Sequence, residues 1–346
     1  LARSDWLADD PFPTFLIVRG RTTKGEDAMK TKQAPIPSGY SAETTALEAL
    51  GGRDLRGVTA IVTGGYAGIG LETTRVLAGA GATVVVGART LDKARAAVGG
   101  MARVEVEPLD LGDPASVDAF AARFLASERP LPLLVNNAGI MATPLVRDRR
   151  GFESQFATNH LGHFQLTARL WPALRRANGA RVVCLSSRGH AYSAVDFDDA
   201  MYDRRPYDKW TAYGQSKTAN VLFALALDAR GEGSRVRAFA LHPGAIHTEL
   251  ARSLSEEDMR ALLATPRVAA TKFKSVAQGA ATSIWCATSP QLEGMGGVYC
   301  EDVDIASAVQ ADFEATYGVR PWAIDPVAAE RLWAKSEEWT GVRFEG

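Results

Sequence analysis

Between Arg56 and Cys300 the chain alternates two patterns of apolar residues. Short apolar-rich runs at Thr59–Val62, which reads as a buried strand, and at Thr83–Val86, Val104–Val106, Leu133–Val135, Arg181–Leu185, Val236–Leu241 and Gly297–Cys300 predict strands. Stretches at Leu71–Ala80, Leu91–Val98, Val117–Leu125, Phe152–Leu174, Tyr213–Ala229 and Ser275–Ala287 predict helices. Strands alternating with helices imply βαβ units and a parallel sheet covered on both faces. The expected fold is therefore α/β, one doubly wound sheet of about seven strands, spanning residues 55–301 without a linker.

The ends depart from this pattern. Residues 1–54 read as a loosely packed N-terminal extension, and Met29 within it is a candidate natural start. Residues 302–346 hold Phe313, Tyr317, Trp322, Trp333 and Trp339, and read as a tail packed on the domain or on a partner subunit, or lining the substrate site. In segment 249–274, Leu250, Leu254, Met259, Leu262 and Leu263 give one apolar side. It reads as a lid over an apolar pocket, or as a surface helix packed on the body.

Composition narrows the classes. Of 346 residues 46% are apolar and 23% charged, enough for a large core, and the net charge of -1 offers no electrostatic footprint for nucleic acid or an anionic membrane. Cys184, Cys286 and Cys300 are widely spaced, with no zinc-like pattern, which suits a reducing cytoplasm. No apolar run approaches the roughly 18 residues of a membrane helix. Phe15-Leu16-Ile17-Val18 is short and lacks a following small-residue cleavage pattern, so the expected location is the cytoplasm.

Two motifs carry candidate chemistry. Thr63-Gly64-Gly65-Tyr66-Ala67-Gly68-Ile69-Gly70 joins a predicted strand to a predicted helix. There Gly64 permits a tight turn, Gly68 close approach to a pyrophosphate, and Gly70 close helix packing, with the helix N-terminus facing the phosphates. The second strand leads to Arg89 rather than to the acidic residue that would bond the ribose hydroxyls of NAD. Arg89 and Lys93 offer positive charge to a 2′-phosphate, which favours NADP(H); an Arg89 that only stacked on adenine would leave NAD usable. Far downstream, Tyr213-Gly214-Gln215-Ser216-Lys217 puts Tyr213 and Lys217 on one helix face. An ammonium beside a phenol is expected to lower the phenol pKa and make it a proton donor and acceptor near neutrality.

Taken together with Asn137-Ala138-Gly139, Ser187 and Pro243-Gly244, these motifs resemble the short-chain dehydrogenase/reductase superfamily from about Gly57 to Cys300. Gly87-Ala88-Arg89, Asn159-His160-Leu161-Gly162-His163-Phe164, Ala212–Lys217, and His242-Pro243-Gly244 with Thr248 are similar to the group of retinol dehydrogenases and WW-domain-containing oxidoreductases. The resemblance implies a Rossmann-type fold, a homodimer or homotetramer, and interconversion of a carbonyl and an alcohol on a small apolar substrate. A retinoid substrate and a membrane anchor do not transfer with it.

It also implies roles for individual residues. Tyr213 would exchange the proton with the carbonyl oxygen, Lys217 would lower its pKa and bond the nicotinamide ribose, and Ser187 would bond the substrate oxygen. Asn159 would hold a water on a proton path to Lys217. Asp110 and Leu111 would hold the adenine, although Asp110 also suits a simple capping role. Asn137, Ala138 and Gly139 would pack beside the cofactor and brace the sheet. Tyr66, Ile69 and Ile246 join the cofactor set, and Pro243, Gly244 and Thr248 would close over the nicotinamide. Ser187 and Tyr213 stand 26 residues apart (213 − 187), about twice the family's usual separation, which puts the intervening loop in doubt. His160 and His163, three apart, have no carboxylate or Cys to complete a metal set, so no metal is expected; His190 and His247 border the substrate site or are ordinary loop histidines. Two other readings remain: a catalytically silent dinucleotide sensor or scaffold, and a C=C reductase resembling protochlorophyllide reductase.

Overall fold

The pleat of a strand sends alternate side chains to opposite faces, and here both faces are apolar. In β1 (Thr59–Thr63), Ile61 joins one core cluster while Ala60 and Val62 join the other. In β4 (Leu133–Asn136), Leu134 faces the first cluster and Leu133 and Val135 the second. The computed structural model describes residues 31–265, 272–314 and 317–344. Its sheet adds β2 (Thr83–Ala88), β3 (Val104–Pro108), β5 (Ala180–Leu185), β6 (Val236–Leu241), β7 (Val298–Glu301) and β8 (Asp304–Ile305), in the order β3-β2-β1-β4-β5-β6-β7-β8. Seven strands are parallel, as the pattern predicted; β8 is an added two-residue antiparallel edge on β7. The chain winds outward in both directions from β1 and β4, so the crevice beyond their carboxyl ends is the topological switch point where ligands bind in such sheets.

Among the described residues the α-helices, in chain order, are α1 (Ala46–Leu50), α2 (Gly68–Gly79), α3 (Leu91–Val98), α4 (Pro114–Ala126), α5 (Ser154–Phe156), α6 (Gly162–Arg176), α7 (Lys209–Gly231), α8 (Glu256–Ala264), α9 (Val276–Gly279), α10 (Ala281–Thr288) and α11 (Pro326–Thr340). Several differ from the sequence expectation. The stretch expected as one helix from Phe152 contains a π-helical turn, Ala157–Leu161, between α5 and α6. The helix expected at Tyr213 begins at Lys209, because the Asp208 carboxylate accepts the Thr211 N–H at 2.7 Å and caps it. The helix expected over Ser275–Ala287 is divided at Ala280 into α9 and α10.

Residues 31–54, expected to be part of a loose arm, are held in place. The Gln33 amide accepts from Tyr299 N–H at 2.8 Å and donates to the Tyr299 and Ala306 carbonyls at 2.9 and 2.7 Å, bridging β7 and the end of β8. Thr45 and Glu48 form a capping box on α1, which buries Ala46, Ala49 and Leu50. The remainder of that expectation, residues 1–30, lies outside the described residues. Among those described, no helix is long and apolar enough to cross a membrane, and all three cysteines are buried free thiols.

The Trp-rich tail becomes α11 and packs on α6 and α7. Trp333 is buried, stacks on Phe223 (centroids 6.0 Å, 27°) and carries the Arg230 guanidinium 4.2 Å over its ring. Phe344 lies 4.4 Å from Trp333, and Ser336 Oγ meets His160 Nε2 at 2.8 Å. Replacing Trp333 by Ala is expected to cost about 3–5 kcal/mol of unfolding free energy in urea titration. A loss below about 1 kcal/mol would show that the tail is not part of the cooperative core.

Candidate active site

Beyond the end of β1 the chain turns through left-handed backbone at Gly64 (φ 63°) and Gly68 (φ 50°), conformations that disfavour a side chain. A Cβ on Gly70 would collide with Asn137 Nδ2 and the Gly64 carbonyl, so this glycine lets α2 sit against the end of β4. The α2 N-cap, Ala67, has no side chain to satisfy the first-turn N–H groups. Thr248 lies over the turn, its methyl 3.2 Å from where a Gly68 Cβ would be, and Ile246 and Ile69 both approach Gly279. Gly64, Tyr66, Gly68, Ile69, Gly70, Ile246 and Thr248 thus gather around one cradle of bare backbone and unpaired N–H groups. It suits a dinucleotide pyrophosphate. Pro243 and Gly244 (φ 104°) begin the covering loop, with Gly244 N–H donating to His242 Nδ1 at 3.2 Å.

Beside this turn stand the ends of the next two strands, β2 and β3. Arg89 directly follows β2 and is exposed, and Lys93 in the first turn of α3 pairs with Glu249 at 2.5 Å. Asp110 Oδ1 accepts Gly112 N–H at 3.0 Å, holding the turn after β3, while buried Leu111 packs so tightly on Gly162 that a Cβ there would strike its carbonyl.

A buried polar relay joins the turn to α7. The Thr63 hydroxyl accepts the N–H groups of Asn137 and Ala138, both at 2.9 Å, and meets His163 Nε2 at 2.9 Å. His163 Nδ1 faces the Asn159 carbonyl at 2.9 Å. A carbonyl only accepts, so Nδ1 carries the proton and Nε2 accepts from Thr63. Burial drives the His163 pKa down to about 4 and keeps the ring neutral. The Asn159 amide exchanges two 2.9 Å bonds with the Ile140 backbone and donates a third to Ser216 Oγ, whose own proton goes to the Tyr213 carbonyl at 2.8 Å. Claimed by a side chain, the Asn159 carbonyl sits in the π-turn, where Gly162 N–H reaches back five residues to Ala157. Gly139 lies between Asn159 and Lys217: a Cβ there would be 3.2 Å from Asn159 Oδ1 and 3.3 Å from Lys217 Nζ.

Tyr213 and Lys217 share a face of α7 and are each 4% exposed. Lys217 Nζ lies 5.7 Å from the Tyr213 ring centre and donates to the Leu185 carbonyl at 3.2 Å. The expectation that this ammonium lowers the phenol pKa is not met here. Burial pushes Tyr213 up to about 12, opposed by a hydrogen bond with Ser187, and drives Lys217 down to about 8. Desolvation penalises the charged form of each group and is the largest cause of both shifts.

Ser187 lies two residues past the end of β5, and its hydroxyl caps the 3-10 turn Arg188–Tyr192 by accepting Gly189 N–H at 3.0 Å. Glycines set its approach to α7: a Cβ on Gly214 would lie 2.6 Å from the Gly189 carbonyl, and one on Gly189 2.8 Å from Tyr213 Cε1. The long loop before Tyr213 is ordered around Asp199, whose carboxylate accepts the N–H groups of Asp203, Arg204 and Arg205, and around Gln215, which bonds Asp196 and Ala200. His190 is buried, its ring bonded to Ser187 O and Arg320 N and its carbonyl accepting Trp322 Nε1; His247 stacks on Phe273 at 4.1 Å. His160 and His163 face different partners, Ser336 and Thr63. Sequence reasoning missed Thr63, Ser216 and the positioning role of His163. The i to i+4 spacing of Asn159 and His163 was the available signal.

A family model described as short chain dehydrogenase matches residues 58–259. A Streptomyces antibioticus protein named "Probable oxidoreductase" is 47% identical over 291 residues, 81% of this chain and 96% of its own length. Retinol dehydrogenase 12 of Mus musculus is 38% identical over 299 residues, 84% of this chain and 88% of its own. The crystal structure of an uncharacterized Mycobacterium paratuberculosis protein superposes with a TM-score of 0.67 at 34% identity, covering 89% of this chain and 99% of that one.

The Lys217 pKa, lowered from 10.5 to about 8, makes a stability prediction. Between those values the unfolded chain binds a proton that the folded chain does not, so stability gains with rising pH; below about 8 the full penalty of the buried ammonium stands. Lys217→Met is expected to be more stable than the parent at pH 7.5 by about 2–3 kcal/mol in urea unfolding, with the difference shrinking towards pH 10.5. A pH-independent difference would contradict a buried, destabilised ammonium.

Proposed function

The chain belongs to the short-chain dehydrogenase family of nicotinamide-dependent oxidoreductases, and we propose that it interconverts a carbonyl and an alcohol on an apolar substrate, using NADP(H), with Tyr213 as general acid and base. The observation that carries this reading is the buried Tyr213–Lys217 pair, flanked by Ser187 and Gly139, at the carboxyl end of the sheet beside the phosphate turn.

When bound, the nicotinamide supplies or takes the hydride. The protein contributes orientation and the proton. Ser187 Oγ bonds the substrate oxygen next to the phenol, and Tyr213 Oη gives that oxygen a proton in reduction. Burial keeps the phenol protonated at neutral pH, the form that the donating direction needs. Lys217, held by Leu185, stands at the phenol's side to return the proton, and Asn159 fixes Ser216 and with it the Tyr213 turn of α7. Arg89 and Lys93 stand where a 2′-phosphate would be bound, which supports NADP(H) over NAD(H).

An apolar substrate is supported by the loops at the mouth. Leu145, Val146, Tyr192, Leu263, Phe273 and Tyr317 are exposed large hydrophobics, and the first five lie on segments that follow the carboxyl ends of β4, β5 and β6. The similarity to a protein named for retinol points the same way. A silent sensor is disfavoured because Tyr213, Lys217, Ser187 and Asn159 are present and clustered.

Tyr213→Phe is expected to lower turnover of an apolar aldehyde by at least about 100-fold while NADPH, followed by fluorescence titration, still binds. Near-normal turnover in that variant would remove Tyr213 from the acid role. Arg89→Ala is expected to weaken NADPH by about tenfold or more and NADH little; equal losses would remove the 2′-phosphate argument.

A further inference from the structure

Lys93 and Glu249 are 156 residues apart in the chain, yet Nζ and Oε2 meet at 2.5 Å. Each belongs to a different part of the proposed cofactor site. Lys93 is in the first turn of α3, just past Arg89. Glu249 follows Thr248, whose methyl covers Gly68 at the phosphate turn. The loop that covers the pyrophosphate cradle therefore also places a carboxylate on a cation available to a 2′-phosphate. The hydrogen bond and charge of Lys93 hold the Glu249 carboxyl below its usual range, so it is ionised at neutral pH. Arg252, the neighbouring cation, donates to the Glu249 carbonyl at 3.1 Å rather than to its carboxylate. Elsewhere the same segment is anchored by ion pairs of Lys209 with Asp258 and of Lys274 with Asp302. Only the Glu249 contact, among these, lies at the adenosine end.

A 2′-phosphate carries about 1.5 to 2 negative charges at neutral pH. It cannot share Lys93 with a carboxylate without like-charge repulsion. We propose that Glu249 is a specificity-determining residue: it occupies the cation of the 2′-phosphate subsite, so that a 2′-phosphorylated cofactor must take Lys93 from the covering loop, whereas an unphosphorylated one leaves the Lys93–Glu249 pair intact. This rests on the assignment of Arg89 and Lys93 to the 2′-phosphate. Glu249 thereby sets the preference between the two cofactors and ties that choice to how firmly the 249–265 segment is held.

The test is equilibrium titration of the full chain with NADPH and with NADH, read by tryptophan fluorescence at fixed low salt. Because the pair is half-exposed on both sides, the effect is modest: Glu249→Gln should bind NADPH about threefold to tenfold more tightly and change NADH by less than about twofold. The NADPH gain should shrink as salt is raised. In the parent protein, trypsin cleavage after Arg252 and Arg260 should be faster with saturating NADPH than with saturating NADH. An unchanged or weaker NADPH affinity in Glu249→Gln, or an equal gain for both cofactors, overturns the proposal. Arg89→Ala in the same titrations separates two kinds of failure. Selective loss of NADPH with no response to Glu249→Gln overturns the role of Glu249 alone. Equal loss of both cofactors overturns the 2′-phosphate subsite and the role of Glu249 with it.

Discussion

One buried hydroxyl, that of Thr63, has to satisfy three neighbours at once. It receives the N–H groups of Asn137 and Ala138 and donates to His163. These groups lie at the ends of β1 and β4 and on α6, the three elements that meet at the switch point. Buried polar atoms are costly unless paired, so a network in which every member is satisfied admits few alternative arrangements. From His163 the constraint passes to the Asn159 carbonyl, from the Asn159 amide to Ile140 and Ser216, and from Ser216 to the backbone of Tyr213. The cradle for the cofactor and the helix bearing the phenol are thereby fixed to one another through hydrogen bonds rather than apolar packing alone.

Burial then sets the protonation states within this frame. The same exclusion of water that strengthens the relay keeps His163 neutral, Tyr213 protonated and the Lys217 ammonium weakly held. In the proposed reaction, a phenol kept protonated by burial is the form that donates to a developing alkoxide. The cost is the desolvation of Lys217, a stability debt that a strongly apolar side chain would not carry.

Much of this was legible in the sequence because it depends on local pattern. Apolar runs marked β1, β2 and β4 to β7, since both faces of the parallel sheet are buried there, whereas the edge strand β3, with no buried residue, showed only as Val104-Glu105-Val106. The glycine turn and the Tyr213–Lys217 spacing were readable because each follows from short-range geometry. What could not be read depends on distant partners. The π-turn coincides with His163 taking the Asn159 carbonyl, a side-chain bond invisible to helical periodicity. The two-residue β8 carries no pattern of its own, and residues 31–54 look like an arm until Gln33 finds the Tyr299 backbone, 266 residues away. The pKa of Tyr213 escapes the sequence for a related reason: a sequence shows that a lysine is near, but not how thoroughly both groups are desolvated.

The central claim is that hydride and proton are exchanged with a carbonyl group at Tyr213. The most direct measurement is incubation of the protein with NADPH deuterated at C4 and an apolar α,β-unsaturated aldehyde, followed by mass and NMR analysis of the product. The account predicts an allylic alcohol with deuterium on the carbinol carbon and the double bond intact. Deuterium at the β-carbon of a saturated aldehyde would contradict it in favour of C=C reduction.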